Sequence, residues 1–366
     1  MTLSLFDIAV PTEDIHPKFM LLKTEMPSEQ GLIRGWAEGM TDRDGKGKLA
    51  RDFQTQFHPA LFELYLHAVL KSQGLPVTTN HHAPDFLVEG PDGFVLEATI
   101  ANIKTSGRPE TERTIEDVDS MFDAPWENER FHEGLAEGVA RYSNRVIDKA
   151  RKYTATYQGH KWVTPDLPYV IALGSFAQVN YGSEYHYSIL ALLFGFVFDP
   201  DTETFVKRDK ITKPGTQSPI DLNIFAKDEF KHVAAILFTC TLTLGKLTSL
   251  VISAGQPSMN RVRLLRSAEG DKPYSFQTVS PESPEDLLDG LFVLHNPNAD
   301  VQLSPTVLAG TPAIHVRSVC GGLTFSSLLP PLMARMNRSI GEGGDILLDL
   351  FCRRAHLAFN RRANAD

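Results

Sequence analysis

The sequence predicts an α/β (α+β) fold in which one central mixed β-sheet is flanked by helices, and three observations lead there. Periodic segments follow one another as helix, hairpin, helix, strand, helix, strand, the order of helices layered on a sheet. The strand-like runs are short, apolar and β-branched, as in "PYVIALG" at 168–174. The chain of 366 residues is 42% hydrophobic and 22% charged, which suffices to bury a sizeable core in one large domain or two.

Residues 1–50 mix Pro, Gly and the polar run "TDRDGKGK" and read as an N-terminal arm of short helices packed on the main body. The core, 51–255, opens with the helix "FHPALFELYLHAVLKSQG" (57–74). Leu61, Leu64, Tyr65 and Ala68 recur there at helical period, and Gly74 supplies the stop. "FLVEGPDGFVLEATI" (86–100) reads as a β-hairpin turning on Gly-Pro-Asp-Gly. An acidic stretch leads into the helix "EGLAEGVARYSNRVIDKARKY" (133–153), with Val139, Tyr142, Val146, Ala150 and Tyr153 on one face. "SEYHYSILALLFG" (183–195) reads as a helix. "HVAAILFTCTLTLG" (232–245) and "LTSLVIS" (247–253) read as strands. Residues 256–366 form a C-terminal α+β extension with short strands such as "DGLFVLHNPNA" (289–299), ending in the helix "GDILLDLFCRRAHLAFNRRA" (344–363).

A formal net charge of −9 argues against coating nucleic acid through bulk charge, but it leaves room for a basic groove on an acidic body. Charge is segregated. Residues 110–137 hold ten acids against Arg113 and Arg130, and 141–161 hold six basic residues against Asp148. Cys240, Cys320 and Cys352 are few, odd in number and far apart, which excludes a disulfide framework and fits a cytoplasmic location. No apolar run approaches the roughly 18 residues of a membrane span. The start "MTLSLFDIAVPTEDIHPKF" has neither the basic nor the long apolar region of a signal peptide.

Several motifs fail on spacing. "DGKGKLA" has the wrong glycine spacing for a P-loop and no Ser or Thr after the lysine. No Gly-x-Ser-x-Gly elbow is present. His81-His82 lacks a third ligand at metal-site spacing and reads as a polar loop. "CGGLTF" at 320 reads as a turn.

Four pieces remain, in order: Glu63 on a helix, Asp85 after Pro84 at a strand start, Glu97 in the next strand, and a helix bearing Lys149 and Lys152. An unpaired acid in the apolar run "FVLEATI" is costly and asks for a reason. This order and spacing resembles the PD-(D/E)XK superfamily, the restriction-endonuclease-like fold, over about residues 57–255. There a helix is followed by a hairpin carrying P-D and then E-x-K, and a helix and a further strand complete the core. The stretches "FELYL", "PDFL", "EATIAN" and "LFVLHNPNA" are also similar to a family of bacterial proteins.

The resemblance implies metal-dependent hydrolysis of a phosphodiester in nucleic acid, DNA favoured over RNA, with no membrane partner and with a homodimer left open. It implies Mg2+ (or Mn2+) held by Asp85 and Glu97. Glu63 would bind a second ion or orient a ligating water, and the Ala98 carbonyl would complete the shell. It also exposes a departure: Thr99 stands where the family carries lysine. Lys149, at the edge of the buried face of its helix, is the candidate replacement, and Lys152 points further out. The acids must also share a face. A four-residue turn at 90–93 would oppose them, whereas a five-residue turn pairing Asp85 with Thr99 and Leu87 with Glu97 would bring them together. The acidic segment 110–137 is expected as an insertion over the site.

Two other readings stay open. One is a catalytically inactive nuclease-fold protein that binds nucleic acid or a protein partner, favoured by Thr99. The other is an unrelated hydrolase with paired carboxylates, as in glycosidases, disfavoured by only three tryptophans.

Overall fold

The computed structural model describes residues 5–42, 47–101, 103, 107–108, 112, 114, 117, 124–175, 185–267, 274–340 and 343–360. The chain begins with helices α1 (Pro17–Glu25), α2 (Pro27–Ala37), α3 (Lys48–Thr55) and α4 (Phe57–Ser72). Pro17 and Pro27 open α1 and α2, where the missing N–H costs nothing. α4 is buried around most of its circumference, because Phe19, Ile33, Trp36 and Phe53 of the three preceding helices cover what the sheet does not.

Three strands then form an antiparallel meander: β1 (Val77–Thr78), β2 (Phe86–Val88) and β3 (Phe94–Ile100). Helix α5 (Phe131–Ala155) crosses the sheet to β4 (Tyr169–Gly174), which runs parallel to β3. Helix α6 (Tyr187–Phe194) and two small hairpins, β5 (Phe196–Asp199) with β6 (Thr204–Lys207) and β7 (Lys210–Thr212) with β8 (Pro219–Asp221), lead to β9 (Val233–Thr239), parallel to β4. β4 and β9 are buried at every position, as strands covered on both faces must be.

The fold is mixed α/β, with a central mixed sheet flanked by helices. Among the described residues that sheet has eight strands in the order β1-β2-β3-β4-β9-β12-β13-β14, ending with β12 (Phe292–His295), β13 (Ile314–Val319) and β14 (Gly322–Ser326). A second sheet of three strands, in the order β11-β10-β15, comprises β10 (Asn260–Ser267), β11 (Tyr274–Thr278) and β15 (Leu332–Ser339). The segment after 256 is therefore divided: β12, β13 and β14 complete the main sheet, and the rest packs beside it with the last helix.

One element differs from the sequence reading. "LTSLVIS" lies in a helix, α7 (Leu244–Ser253), not in a strand. Leu247, Leu250 and Val251 stand at i, i+3 and i+4 and are all buried, so the period outweighs the β-branched composition. The final helix, α8 (Gly344–Asn360), lies as expected. Of the acidic segment 110–137, eleven residues between 110 and 123 lie outside the described residues. From Ala124 the segment forms a short turn and the start of α5.

Alternation along β3 divides the core. Phe94 and Leu96 face α4, while Val95 packs with Val139, Tyr142 and Val146 of α5. On the far side, buried charges join the two sheets. Arg266 grips both oxygens of Asp289 at 2.9 and 2.7 Å. Lys246 Nζ, on α7, lies 3.3 Å from Glu285 Oε1, and Arg335 Nε donates to Glu285 Oε2 at 2.9 Å. Burial opposes ionisation of Glu285, but the Arg335 and Lys246 charges hold its pKa down at about 2.

Candidate functional site

The hairpin turn spans 89–93. Gly90 takes φ +98°, and Gly93 N–H donates to Gly90 O at 3.0 Å. A Cβ on Gly93 would stand 2.9 Å from both the Val88 and Gly90 carbonyl oxygens, so the position admits only glycine. The resulting pairs are Phe86–Leu96, Leu87–Val95 and Val88–Phe94. Neither expected pairing occurs, because the turn begins at Glu89 and not at Gly90. Its length is still five residues. One step beyond the last pair, Asp85 lies across from Glu97, and the two acids share a face.

The position of Asp85 has a backbone cause. Val95 and Ala101 turn their N–H groups towards β4, so Ala98 turns its own towards β2. β2 has ended there, and the Asp85 carboxylate takes the strand's place, accepting from Ala98 N–H at 2.8 Å. The Ala98 contact recorded is thus its amide, donating to Asp85.

Glu97 is 4% exposed. Its Oε1 accepts from Lys149 Nζ at 2.6 Å and from the Tyr157 hydroxyl at 2.7 Å. Its Oε2 is buried with no hydrogen-bond partner among the described residues. Burial first, then the Asp85 charge, raises the Glu97 pKa above the ordinary glutamate value, with Lys149 and Tyr157 opposing the rise. Burial and the Glu97 charge push the Tyr157 phenol well above its usual value, so it stays protonated and donates. The Tyr169 hydroxyl donates to the Lys149 carbonyl at 3.0 Å, which ties β4 to the turn of α5 that aims the lysine. Trp162 Nε1 donates to Ala83 O at 3.1 Å, two residues before Asp85.

The structure therefore brings Asp85, Glu97 and Lys149 together. Glu63 is half-buried on α4, the helix that covers the face of β3 opposite to Glu97. Thr99 shares the Glu97 face two residues along the strand and is half-buried, and Lys152 is exposed. Tyr157 was not singled out from the sequence, although a signal existed. Val146, Ala150, Tyr153 and Tyr157 continue one helical face past the end of α5.

The charge on Glu97 has a consequence for stability. A carboxyl whose folded pKa is raised contributes stability that is present below its unfolded pKa and lost as pH rises through the folded one. Glu97→Gln removes that loss and keeps an oxygen for Tyr157. The thermal midpoint of the variant should match the parent near pH 4 and exceed it by about 2 °C at pH 8, measured by circular dichroism melts. A variant less stable than the parent at pH 8 contradicts a raised pKa.

No family model, curated protein or solved structure matches the chain. No helix among the described residues is long and apolar enough to cross a membrane.

Proposed function

We propose that the protein is a metal-dependent nuclease with a restriction-endonuclease-like core, in which Lys149 of α5 serves in place of the lysine absent at Thr99. The observation that carries this reading is the Lys149 Nζ to Glu97 Oε1 contact of 2.6 Å. The arrangement of α4, the β2–β3 hairpin, α5 and β4 parallel to β3 supports it, being the succession that the superfamily resemblance implies.

The donor set fits a hard cation. Two carboxylates lie on one face, and a buried oxygen of one of them has no hydrogen-bond partner among the described residues, a situation that asks for a proton or an ion. Asp85 and Glu97 would hold Mg2+ or Mn2+, which supplies Lewis acidity towards a phosphoryl oxygen and an attacking water. Glu63, on α4, would bind a second ion or orient a ligating water. Lys149 Nζ would oppose the negative charge that develops on the phosphate as the bond to the leaving oxygen breaks. Tyr157 and Lys149 together fix Glu97 Oε1, so Oε2 keeps a single orientation. DNA is favoured over RNA as substrate.

One observation favours a second reading, a non-catalytic nucleic-acid or protein binder: Glu97 Oε1 already accepts two donors, which partly satisfies the buried carboxylate. The two readings separate on Mn2+ titration calorimetry combined with a cleavage assay on labelled DNA and RNA in Mg2+ or Mn2+. Uptake of the ion with cleavage supports the nuclease. Absence of both overturns it in favour of the binder.

A further inference from the structure

Beside the carboxylates, aromatic rings are stacked with nearly parallel planes. Trp162 lies between His81, at 4.2 Å and 8°, and His160, at 4.6 Å and 12°. Tyr157 continues the series beyond His160 at 6.3 Å and 22°, and its hydroxyl is the one on Glu97. The rings thus form a ladder leading from the surface to Glu97. Its inner end, Tyr157, is buried, whereas His81, His160 and Trp162 are half-buried. The outer member, His81, follows buried Thr79 and exposed Asn80 just after β1, and its neighbour His82 is exposed. The indole N–H on Ala83 O ties the ladder to the segment that presents Asp85.

A second feature runs alongside. Arg145, Lys149 and Lys152 stand at i, i+4 and i+7, which places them along one edge of α5. Lys149 turns in to Glu97, and exposed Lys152 and Lys161 carry the positive edge towards the ladder.

We infer that the ladder is a base-stacking platform and that the ligand of this site is a single-stranded polynucleotide. A duplex presents phosphates and base edges on its outside and keeps its base faces covered, so it has nothing to lay on the outer ring of a stack. A single strand exposes base faces that stack on aromatic rings while its phosphates follow a line of cations. The inference rests on the nucleic-acid reading above for its class of ligand, and it adds the strand state and the residues that recognise it. His81 is assigned as the ring that the first base covers, and Trp162 as the positioning residue that holds His81 and His160 parallel.

The test is equilibrium binding in EDTA, which removes metal and cleavage from the readout. Fluorescence anisotropy is measured with a labelled single strand of DNA, its RNA counterpart, the matching DNA duplex, and an abasic strand of the same length. The parent should bind the single strands at least ~10-fold more tightly than the duplex. His81→Ala should weaken single-strand binding by about 10-fold, the scale of one stacked base, and leave duplex and abasic binding unchanged. Trp162→Phe, which keeps a ring between the histidines, should retain more single-strand affinity than Trp162→Ala, with melts confirming that both fold. Equal affinity for single strand and duplex, or a His81→Ala variant that binds single strands as the parent does, overturns the platform. A strand preference that persists without Mn2+-dependent cleavage supports the platform and counts against the nuclease. Cleavage with no strand preference does the reverse. The DNA and RNA arms identify which polynucleotide is preferred.

Discussion

Lys149→Ala should lower metal-dependent strand cleavage by about 10²-fold, the scale of removing one preorganised group that stabilises developing charge. The ammonium is the cation the structure places on the buried carboxylate, 2.6 Å from Glu97 Oε1 with a side chain only 17% exposed. Its loss has a second effect of known sign. Lys149 opposes the rise in the Glu97 pKa, so without it Glu97 holds its proton to higher pH. Mn2+ affinity at pH 8 should change little, while affinity at pH 6 should fall below that of the parent, because protons compete better for the site. Calorimetry at the two pH values reads this directly. Adding Thr99→Lys to Lys149→Ala should recover part of the lost rate, since position 99 shares the Glu97 face two residues along β3. If the alanine variant cleaves as fast as the parent, the assignment of Lys149 is wrong.

Asp85→Asn should abolish cleavage and weaken Mn2+ binding by more than ~100-fold, the upper range for groups that merely orient a ligand. Asparagine keeps an oxygen for the Ala98 N–H, so the end of the hairpin is preserved. The charge effect runs opposite to that of Lys149→Ala. Asp85 raises the Glu97 pKa, and its neutralisation lets Glu97 ionise at lower pH. The variant should therefore be at least as stable as the parent at pH 8 while having lost the metal. Undiminished Mn2+ affinity in Asp85→Asn would remove Asp85 from the ligand set, and the carboxylate pair would then be a structural feature alone.

Much of this arrangement was legible because local period and local chemistry agree. The face of α5 is written in Val139, Tyr142, Val146, Ala150 and Tyr153, and the hairpin in two glycines around Pro91 and Asp92. The pairing was not legible to the residue. Whether a turn opens at Glu89 or Gly90 depends on how Val88 and Phe94 meet the core, which is decided by packing from α4. The place of Glu63 was not legible for a related reason: order along the chain does not say which face of the sheet a helix covers. In 247–253 composition and period disagreed, and burial against α2 and the second sheet favoured the helix. The joining of β12 to β9 links positions far apart in sequence, and no local pattern announces it.

That joining limits how the protein can be divided. A fragment ending near 255 would contain the carboxylates, Lys149 and the ring ladder, and on paper would be a minimal version of the site. It would also strip β12 from β9, turning an apolar strand buried at all its positions into a naked edge open to pairing with other chains. Lys246, 1% exposed, would lose Glu285 and the Asp289 carbonyl and keep its charge in an apolar surrounding. Such a fragment should accumulate as aggregate. The part of the chain that carries no candidate chemistry is what keeps the part that does in solution.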